Sequence, residues 1–573
     1  MSSSTSNPPR PAQGLDRFAA QIRAGLADAL SLPPEAISLD RPRDPKHGEY
    51  AFPCFRLAKE RKMAPPALAT WLEEQLNLDG IGVQRVGPFL NFRIEPMPLA
   101  KAVLPDAASE GFGSGQEEGT ILVEYSSPNI AKPMHIGHLR TTVLGAALSR
   151  LFNHLGHRVV RINHVGDWGS QFGKLVAAWN RWGDPDQLEA EPIEHLLELY
   201  VRYHQEEKED PSLPQQAREV FLELESGQDN PTRQTWRQFT EVSLAAFEKV
   251  YQRLNTEFDF VRGESWYEDR LDQTLDFLQQ QDVLELSEGA TIVDLSEQGI
   301  KTPCLVKTAH GTTLYATRDI AAALSRWQEF TFDRCLYVVG NEQKLHFQQL
   351  IGVLRKAGCD FADRIEHISF GLVRFAEGKL STREGRVLRL SEVLDRAVEL
   401  ALEVVQEKNP EHPEPHKVAE QVGIGAVLFH DLKHLRNKDV VFNWKEVLSF
   451  EGETGPYLQY SRVRTAAILR KAGRPVPEVQ TIDYQHVAEA RDLMVALGRF
   501  PIALREAAEK REPMILAQQL LAVAAAGNAF YRDFRVLGSG QGVEDARLVV
   551  VDAIRRTLDI GLNILGVPIP ETM

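Results

Sequence analysis

The sequence predicts an α/β domain with a parallel sheet, set between a small α+β domain and an all-helical C-terminal domain. The chain has 573 residues, a length that suits about three or four domains. From residue 120 an apolar strand-like run, a loop, an amphipathic helix and a second strand-like run follow one another, the order of a parallel crossover unit. After about residue 390 nearly all of the pattern is helical.

The composition narrows the class of protein. A formal net charge of −15 argues against a protein that coats nucleic acid indiscriminately, but local basic faces remain possible on an acidic body. No run approaches the ~20 apolar residues that cross a bilayer. Residues 1–13 are rich in Ser and Pro and lack a signal-type apolar run. We therefore expect a disordered tail over 1–13 on a cytoplasmic protein without a membrane segment.

Four cysteines are scattered along the chain, without a CxxC pair or a nearby Cys/His ligand set: Cys54, Cys304, Cys335 and Cys359. Isolated cysteines of this kind are typical of reduced, mostly buried thiols. The sequence predicts no structural zinc and no dedicated metal site.

The first segment, 14–110, predicts the small α+β domain. It contains two helical runs, the second with prolines near its start, and then a hairpin pattern with Gly87-Pro88 at the bend. A Gly-, Ser- and Glu-rich stretch at 109–119 follows and indicates a linker.

The next segment, 118–390, predicts the α/β domain. Its first helix ends at Gly156, a suitable C-cap. Residues of about 184–290 are acidic, Gln-rich and helical in period, which indicates a helical insertion. Two strand-like runs around His310-Gly311 predict a hairpin, and a helix, a strand and another helix complete a second β–α half.

The segment His135-Ile136-Gly137-His138 lies where a strand and its loop run into a helix. A helix N-terminus presents free N–H groups and a partial positive charge, which suits phosphate. Gly137 permits close approach to the backbone, and His135 and His138 fall on one face, where they can donate hydrogen bonds. Taken alone, such a pair is more often structural.

A second signal is the loop Gly378–Gly385, in which Lys379, Ser381 and Arg383 stand between glycines. A basic loop by itself is usually a solvated surface feature. A helix start after the first strand and a Lys/Ser loop after the last strand of one α/β domain together predict a two-part clamp for ATP.

These segments carry a family resemblance. His135–His138 and Lys379–Arg383 resemble the HIGH and KMSKS signatures of class I aminoacyl-tRNA synthetases. The stretches Glu124–His138, Gly166–Gly173 and Tyr315–Asp319 resemble those of arginyl-tRNA synthetases, and the resemblance extends from about residue 20 to the end.

The resemblance implies three functional domains. These are an N-terminal domain over 14–110 that touches the tRNA elbow, a Rossmann-type catalytic domain over 118–390, and a helical anticodon-binding domain over 391–573. It also implies the reaction, in which ATP activates L-arginine to arginyl-adenylate, releasing pyrophosphate, before transfer to the 2′-hydroxyl of the terminal adenosine of tRNA(Arg). Magnesium is expected with ATP. A monomer, and a need for bound tRNA during activation, are further expectations from the family.

Seven residues match positions that hold arginine in this family: Glu124, Ser127, Asn129, His135, Tyr315, Asp319 and Gln343. The chemistry agrees, because a guanidinium is planar and permanently charged with five donors, and suits carboxylates and a hydroxyl. Polar amide and hydroxyl groups suit the amino and carboxylate ends of the ligand.

One position departs from the family pattern. Thr382 stands where the second lysine of KMSKS is usual, so the charge on the transferring phosphates must come from elsewhere. Family members without the standard loop are thought to use a lysine at the place of Lys132, three residues before His135. We therefore predict Lys132, Lys379, His135 and His138 as the catalytic groups, acting by position and charge.

Basic residues interleaved with aromatic ones mark candidate RNA contacts. In the first domain these are Phe52, Arg56 and Lys59, and in the last domain they are Tyr457, Tyr460, Arg462, Arg464 and Tyr531. The alternatives are core aromatics at helical spacing and a solvated basic helix face.

Three rival functions remain at this point. A class I synthetase for cysteine or a large aliphatic amino acid is disfavoured by the carboxylates Glu124 and Asp319, which would be costly in an apolar pocket, and by the lack of a zinc ligand set for cysteine. A nucleotidylyltransferase shares HxGH but leaves the long helical segment unexplained. An inactive RNA-binding paralogue is disfavoured by the intact HIGH segment.

Overall fold

The computed structural model describes most of the chain, namely residues 12–309, 313–375 and 388–573. It divides into two compact units. Unit 1 comprises Met1–Gln116, Phe450–Asn563 and Ile569–Met573, and unit 2 comprises Glu117–Ser449 and Ile564–Pro568.

The N-terminal part of unit 1 is an α+β fold, as expected. Its elements are α1 (Asp16–Leu30), β1 (Tyr50–Pro53), α2 (Phe55–Ala58), α3 (Pro65–Gln75), β2 (Ile81–Val86), β3 (Phe89–Ile94) and α4 (Pro96–Ala107). The strands form an antiparallel sheet in the order β1-β3-β2. The predicted hairpin is confirmed, with Gly87 at a φ of +61° in its bend. Of the predicted tail, residues 1–11 lie outside the described residues, and the Gln13 side chain accepts a hydrogen bond from the Gly113 N–H.

Unit 2 contains the α/β domain and the helices around it. Its elements are β4 (Thr120–Glu124), α5 (Ile136–His154), β5 (Arg158–Asn163), α6 (Ser170–Trp182), α7 (Pro185–Ala190), α8 (Pro192–Glu206), α9 (Leu213–Glu225), α10 (Pro231–Arg253), β6 (Phe260–Val261), α11 (Leu271–Gln280), β7 (Glu285–Ser287), β8 (Ala290–Val293), β9 (Cys304–Lys307), α12 (Tyr315–Phe330), β10 (Arg334–Tyr337), α13 (Lys344–Lys356), β11 (Ile365–His367), β12 (Val373–Phe375), α14 (Leu390–Lys408), α15 (Pro415–Leu432), β13 (Val440–Phe442) and α16 (Trp444–Val447).

The main sheet of unit 2 is parallel throughout, in the order β11-β10-β4-β5-β6. The first strand, β4, lies in the centre. The chain adds β5 and β6 on one side of it and later β10 and β11 on the other. In open α/β sheets, ligands bind beyond the carboxyl ends of the strands where the order reverses in this way. The topology therefore predicts a ligand site at the loop after β4.

Two details of unit 2 differ from the sequence expectations. The region expected as a helical insertion, about 184–290, holds α7 to α11 but also β7 and β6, of which β6 is an edge strand of the main sheet. The hairpin predicted around His310-Gly311 is present only as an isolated antiparallel bridge between Lys307 and Thr313. The helix α12 begins two residues later, at Tyr315, and β9 pairs with β8. A run this short does not distinguish a strand from the start of a helix. Residues 310–312 lie outside the described residues.

The C-terminal part of unit 1 is helical, with α17 (Gly455–Ala472), α18 (Gln485–Ala488), α19 (Arg491–Lys510), α20 (Met514–Asp533) and α21 (Gln541–Leu565). Helices α14 to α16, which the sequence analysis assigned to the last domain, belong to unit 2. Among the described helices, α20 is long and apolar enough to cross a membrane. The core helix of a globular protein can have the same length and composition, and Leu520 and Val523 of α20 are fully buried.

Candidate active site

The turn between β4 and α5 is held in an unusual backbone conformation. Ser126, Ser127 and Ala131 have φ angles of +74°, +49° and +60°, and each left-handed residue other than glycine costs about 1–2 kcal/mol. Hydrogen bonds offset this cost. The Ser127 N–H donates to Asn163 Oδ1 over 3.1 Å, and the Ala131 N–H donates to Ser243 Oγ over 3.1 Å. The end of β5 and the helix α10 thus fix the turn.

The two histidines of the HIGH segment (His135–His138) cap helix α5. The Gly137 N–H donates to Nδ1 of His135, and the His135 N–H donates to Nδ1 of His138, both over 3.0 Å. The ring centroids are 4.0 Å apart. Since each Nδ1 accepts a hydrogen bond, a neutral ring must carry its proton on Nε2. Both rings are therefore fixed as Nε2–H donors.

The electrostatics of the pair favour neutral rings. Burial lowers the pKa of His135. Burial, and then the neighbouring His135, lower the pKa of His138 to about 3. Near pH 7 both rings are therefore neutral, and each presents an oriented Nε2–H donor rather than a positive charge. A Cβ on Gly137 would lie 2.8 Å from Cε1 of His135, so this glycine is needed by the capping ring itself.

Lys132 lies on the same turn, three residues before His135. Its Nζ is 3.4 Å from Gln171 Oε1 and 5.2 Å from the centroid of the Tyr200 ring. Within the described part of the chain, no carboxylate lies within ion-pair distance of this ammonium group. Its charge is therefore available to an incoming anion.

The predicted phosphate-binding residues Lys379, Ser381 and Arg383, with Thr382, fall within 376–387, outside the described residues.

The residues that follow this segment lie against the HIGH turn. The Ile136 N–H donates to the carbonyl oxygen of Leu388 over 3.3 Å, and the Leu390 N–H donates to that of Met134 over 2.8 Å. Between them, His135 and Arg389 form an antiparallel bridge. The segment 388–390, a few residues beyond the predicted Lys/Ser loop, is thus hydrogen-bonded to the predicted phosphate site.

The residues that precede the loop are tied to α5 by Arg140, which is fully buried. Its Nη1 donates to the carbonyl oxygens of Gly371 and Lys438 over 2.9 and 2.8 Å, and its Nε lies 2.8 Å from Asp431 Oδ1. Burial raises the pKa of Asp431, against the lowering effect of Arg140. This buried ion pair connects the HIGH helix to the base of β12 and to α15.

A second group of polar side chains surrounds Asp319, in the first turns of α12. His346 Nε2 lies 2.6 Å from Asp319 Oδ2, and His164 Nε2 lies 3.8 Å from Oδ1. Tyr315 is 57% exposed, and its ring centroid is 4.8 Å from that of His346. Burial alone would raise the pKa of Asp319, but the hydrogen bond and charge of His346, with His164 and Arg326, lower it. Asp319 is therefore an ionised, partly accessible carboxylate.

Glu124, at the end of β4, has a different environment. It is 5% exposed, and its Oε2 lies 2.5 Å from Nη1 of Arg326, which is completely buried. The Arg326 guanidinium also lies 5.3 Å from the centroid of the Tyr337 ring. The charge of Glu124 is thus already balanced inside the protein.

The other predicted arginine-binding residues lie around the same strand ends. Asn129 forms a parallel bridge with Gly166, and a Cβ on Gly166 would lie 2.1 Å from Asn129 Oδ1. The Ser127 Oγ is buried and has no hydrogen-bond partner among the described residues. Gln343 is exposed just before α13.

Sequence reasoning missed three residues of this site, His164, His346 and Arg326. The position of His164 directly after a strand is a usable signal, because the carboxyl ends of parallel strands meet at the ligand edge. His346 and Arg326 lie on amphipathic helices, where the sequence pattern gives no such signal. Among the described residues, no three His, Cys, Asp or Glu side chains are grouped to hold a metal ion.

The predicted RNA contacts of the first domain are partly accessible. Phe52 is only 2% exposed, so its ring is part of the core and out of reach of RNA. Phe55, 50% exposed, is the aromatic at that surface. Arg56 is exposed but lies 3.0 Å from Asp40, and Lys59 is exposed.

The predicted RNA contacts of the last domain are also only partly accessible. Tyr460 and Arg464 are exposed, and the Arg464 guanidinium lies 5.1 Å from the centroid of the Tyr531 ring. Arg462 is instead part-buried, with Nε 2.6 Å from Asp559 Oδ1. Tyr457 is part-buried, and its hydroxyl accepts a hydrogen bond from Asn528. The accessible pair is thus Tyr460 and Arg464.

Comparison with known proteins accounts for nearly the whole chain. Residues 103–444 match the family described as tRNA synthetases class I (R), catalytic domain. Residues 458–573 match the DALR anticodon binding domain, and residues 16–94 match the arginyl tRNA synthetase N terminal domain.

Individual proteins give the same result. The chain is 42% identical to arginine–tRNA ligase of Clostridium kluyveri, over 93% of this chain and 96% of that protein. It is also 42% identical to that of Ligilactobacillus salivarius, over 97% and 99%. The arginyl-tRNA synthetase structure of Thermus thermophilus aligns with a TM-score of 0.81 at 29% identity, over 97% of this chain and 100% of that one. The chain belongs to the arginyl-tRNA synthetase family of class I aminoacyl-tRNA synthetases.

Proposed function

We propose that this protein joins arginine to tRNA(Arg), and that the β4–α5 turn is where ATP activates the amino acid. An oxygen of the arginine carboxylate attacks the α-phosphorus of ATP. The bond between the α- and β-phosphates breaks, arginyl-adenylate forms and pyrophosphate leaves. The observation that carries the proposal is the capped histidine pair at the switch point of the sheet, because oriented donors at a helix N-terminus suit developing phosphate charge.

His135 and His138 donate from Nε2 to phosphate oxygens in this proposal. Lys132 supplies the positive charge that Thr382 does not. The roles of Lys379, Ser381 and Arg383 in phosphate binding are a further part of the proposal. None of these groups forms a covalent bond with the substrate, so catalysis rests on position and charge.

Asp319 is proposed as the carboxylate that pairs with the guanidinium of arginine, with Tyr315 beside it. The charge balance supports this assignment, because Glu124 is already paired with the permanently charged Arg326. In the described part of the chain, the partners of Asp319 within ion-pair distance are two histidines, His346 and His164. Glu124 acts indirectly, by fixing the position of the end of β4. Ser127, Asn129, His135 and Gln343 are proposed for the amino and carboxylate ends, which suit hydroxyl, amide and imidazole groups.

In the second step, the 2′-hydroxyl of the terminal adenosine attacks the carbonyl carbon of the adenylate, and AMP leaves. The proposed tRNA surfaces are the basic and aromatic residues of the two flanking domains, with Tyr460, Arg464 and Phe55 among the exposed ones. We also propose that Mg²⁺ enters with ATP, since triphosphate oxygens are hard ligands, and that the protein is a cytoplasmic monomer without a membrane segment.

The test is ATP–pyrophosphate exchange measured with each amino acid, with and without tRNA(Arg). The expected result is exchange with arginine alone, and only when tRNA is present. Exchange with another amino acid contradicts the arginine assignment. Absence of exchange with all of them, in protein that still binds tRNA(Arg), supports an inactive RNA-binding paralogue instead.

A further inference from the structure

Helix α8 contacts the active-site turn through two side chains. Its buried face, which includes Leu196 and Leu199, packs into unit 2. Glu194 and Tyr200 flank that face and are only part-buried. Each of them meets a cationic residue beside the HIGH segment.

The first contact is between Tyr200 and Lys132. The lysine Nζ lies 5.2 Å from the centre of the tyrosine ring, within cation–π range, and 3.4 Å from Gln171 Oε1. A lysine side chain loses about 1.5–2 kcal/mol of rotamer freedom when it is ordered. An aromatic ring already in place limits the positions of the ammonium group before the phosphates arrive.

The second contact is between Glu194 and Arg389. Glu194 Oε1 lies 2.5 Å from Nη1 of Arg389, and both side chains are about one third exposed. The backbone of Arg389 pairs with His135, and Leu390 donates to Met134. Glu194 therefore holds the strand-like segment 388–390 against the turn that carries the histidines.

We propose that α8 positions the ATP site, with Tyr200 orienting Lys132 and Glu194 fixing Arg389 beside His135. This gives the insertion helix a function in amino-acid activation. Tyr200 and Glu194 are positioning residues, because they reach the phosphates only through Lys132 and through the backbone of the turn. The inference rests on the proposed role of Lys132.

The test for Tyr200 is a double-mutant cycle read by the rate of ATP–pyrophosphate exchange. Tyr200→Leu is expected to lower kcat about fivefold, the size of a partly desolvated cation–π contact, and Tyr200→Phe to restore most of that loss. In the Lys132→Ala background, Tyr200→Leu should have no further effect, since the two residues act as one unit. The KM for arginine should stay unchanged.

The outcomes separate the two proposals. A Lys132→Ala variant with full activity overturns the role of Lys132 in the proposed function. If Lys132→Ala is impaired but Tyr200→Leu is not, or if the two losses multiply, the positioning role of Tyr200 is wrong.

The test for Glu194 uses a neighbour on the same helix as its control. Glu194→Gln is expected to lower kcat about threefold, in the range of a partly exposed ion pair. Glu198→Gln, at an exposed position, should leave the rate unchanged. Combining Glu194→Gln with Arg389→Gln should cost no more than Arg389→Gln alone. Equal losses in Glu194→Gln and Glu198→Gln, or additive losses in the double variant, overturn the role of Glu194.

Discussion

The carboxylate of Glu124 lies 2.5 Å from the guanidinium of Arg326, and both groups are buried. The pair stands at the end of the central strand, directly before the turn that carries the HIGH segment. Removing one partner of such a pair is costly, because the other is left as a buried, unbalanced charge. Asp319 instead faces two histidines, His346 and His164, and is partly accessible, which supports the proposal that it balances the guanidinium of arginine.

The first prediction compares these two carboxylates. Asp319→Asn should raise the KM for arginine about 100-fold, because a close charge pair with the substrate is lost. Glu124→Gln should raise it less and should lower thermal stability more, since Arg326 then loses its partner. Steady-state exchange kinetics and calorimetry on the same preparations measure both effects.

The control for this comparison is Asp276→Asn, at an exposed position on α11, which should change neither quantity. A larger KM increase in Glu124→Gln than in Asp319→Asn would show that Glu124 is the main contact with the guanidinium, contrary to the charge balance.

The second prediction concerns the protonation of His138. Its Nδ1 accepts a hydrogen bond from the His135 N–H, and burial lowers its pKa to about 3. The ring should therefore stay neutral as the pH falls from 8 to 5 and titrate only below that window. Carbon-detected NMR of the histidine rings should show constant His138 shifts over this range. A midpoint near 6.5 would contradict the fixed Nε2–H form.

Substitutions of His138 can separate the effect of its hydrogen bonding from the effect of its side-chain volume. His138→Ala removes a donor and should lower kcat of exchange about 100-fold. His138→Asn keeps an acceptor and a donor on one side chain, so it should retain more activity than His138→Ala. Equal rates in the two variants would show that hydrogen bonding by this residue does not contribute to the rate.

The sequence was sufficient for the parallel sheet and the position of the HIGH turn, for a local reason. Strand, loop and helix follow one another within residues 120–156, and the capping histidines are close in sequence. The partners that complete the site are not close. Arg326 reaches Glu124, and His346 reaches Asp319, only once the fold is formed. A pattern along the chain does not report such pairs.

The same reason explains why two predicted RNA contacts, Phe52 and Arg462, are less accessible than their sequence context suggests. Phe52 is placed among basic residues in the sequence, but its position on β1 directs it into the core. Arg462 lies among aromatic and basic residues in the sequence, as a phosphate contact would, but its side chain pairs with Asp559, 97 residues later. Only the packed structure distinguishes a basic surface from a basic residue that is already neutralised.

The third prediction uses that distinction at the C-terminal domain. Arg464→Ala should raise the KM for tRNA and reduce the slope of log KM against log salt by about one, as loss of one phosphate contact does. Tyr460→Ala should also weaken tRNA binding, with little change in the salt slope, because stacking is not ionic. Arg462→Ala should chiefly lower stability, since Asp559 loses a part-buried partner. If Arg462→Ala weakens tRNA binding more than Arg464→Ala does, the surface is assigned wrongly.

The fourth prediction concerns the buried pair Arg140–Asp431, which connects the HIGH helix to α15. Arg140→Met leaves the Asp431 carboxyl buried without its cation and should destabilise unit 2 by about 3–5 kcal/mol. Burial already raises the pKa of Asp431 against the effect of Arg140, so without the arginine the carboxyl should become protonated more readily. The acid form is the less costly one when buried. The loss of stability in Arg140→Met should therefore be smaller at pH 5 than at pH 8, which hydrogen exchange of α5 amides can measure.

The double variant Arg140→Met/Asp431→Leu should recover most of the stability, because no buried charge remains. The double variant should not recover the rate of ATP–pyrophosphate exchange, since the carbonyl oxygens of Gly371 and Lys438 still lack the donor that holds them to the HIGH helix. Recovery of both would mean that Arg140 contributes charge balance alone.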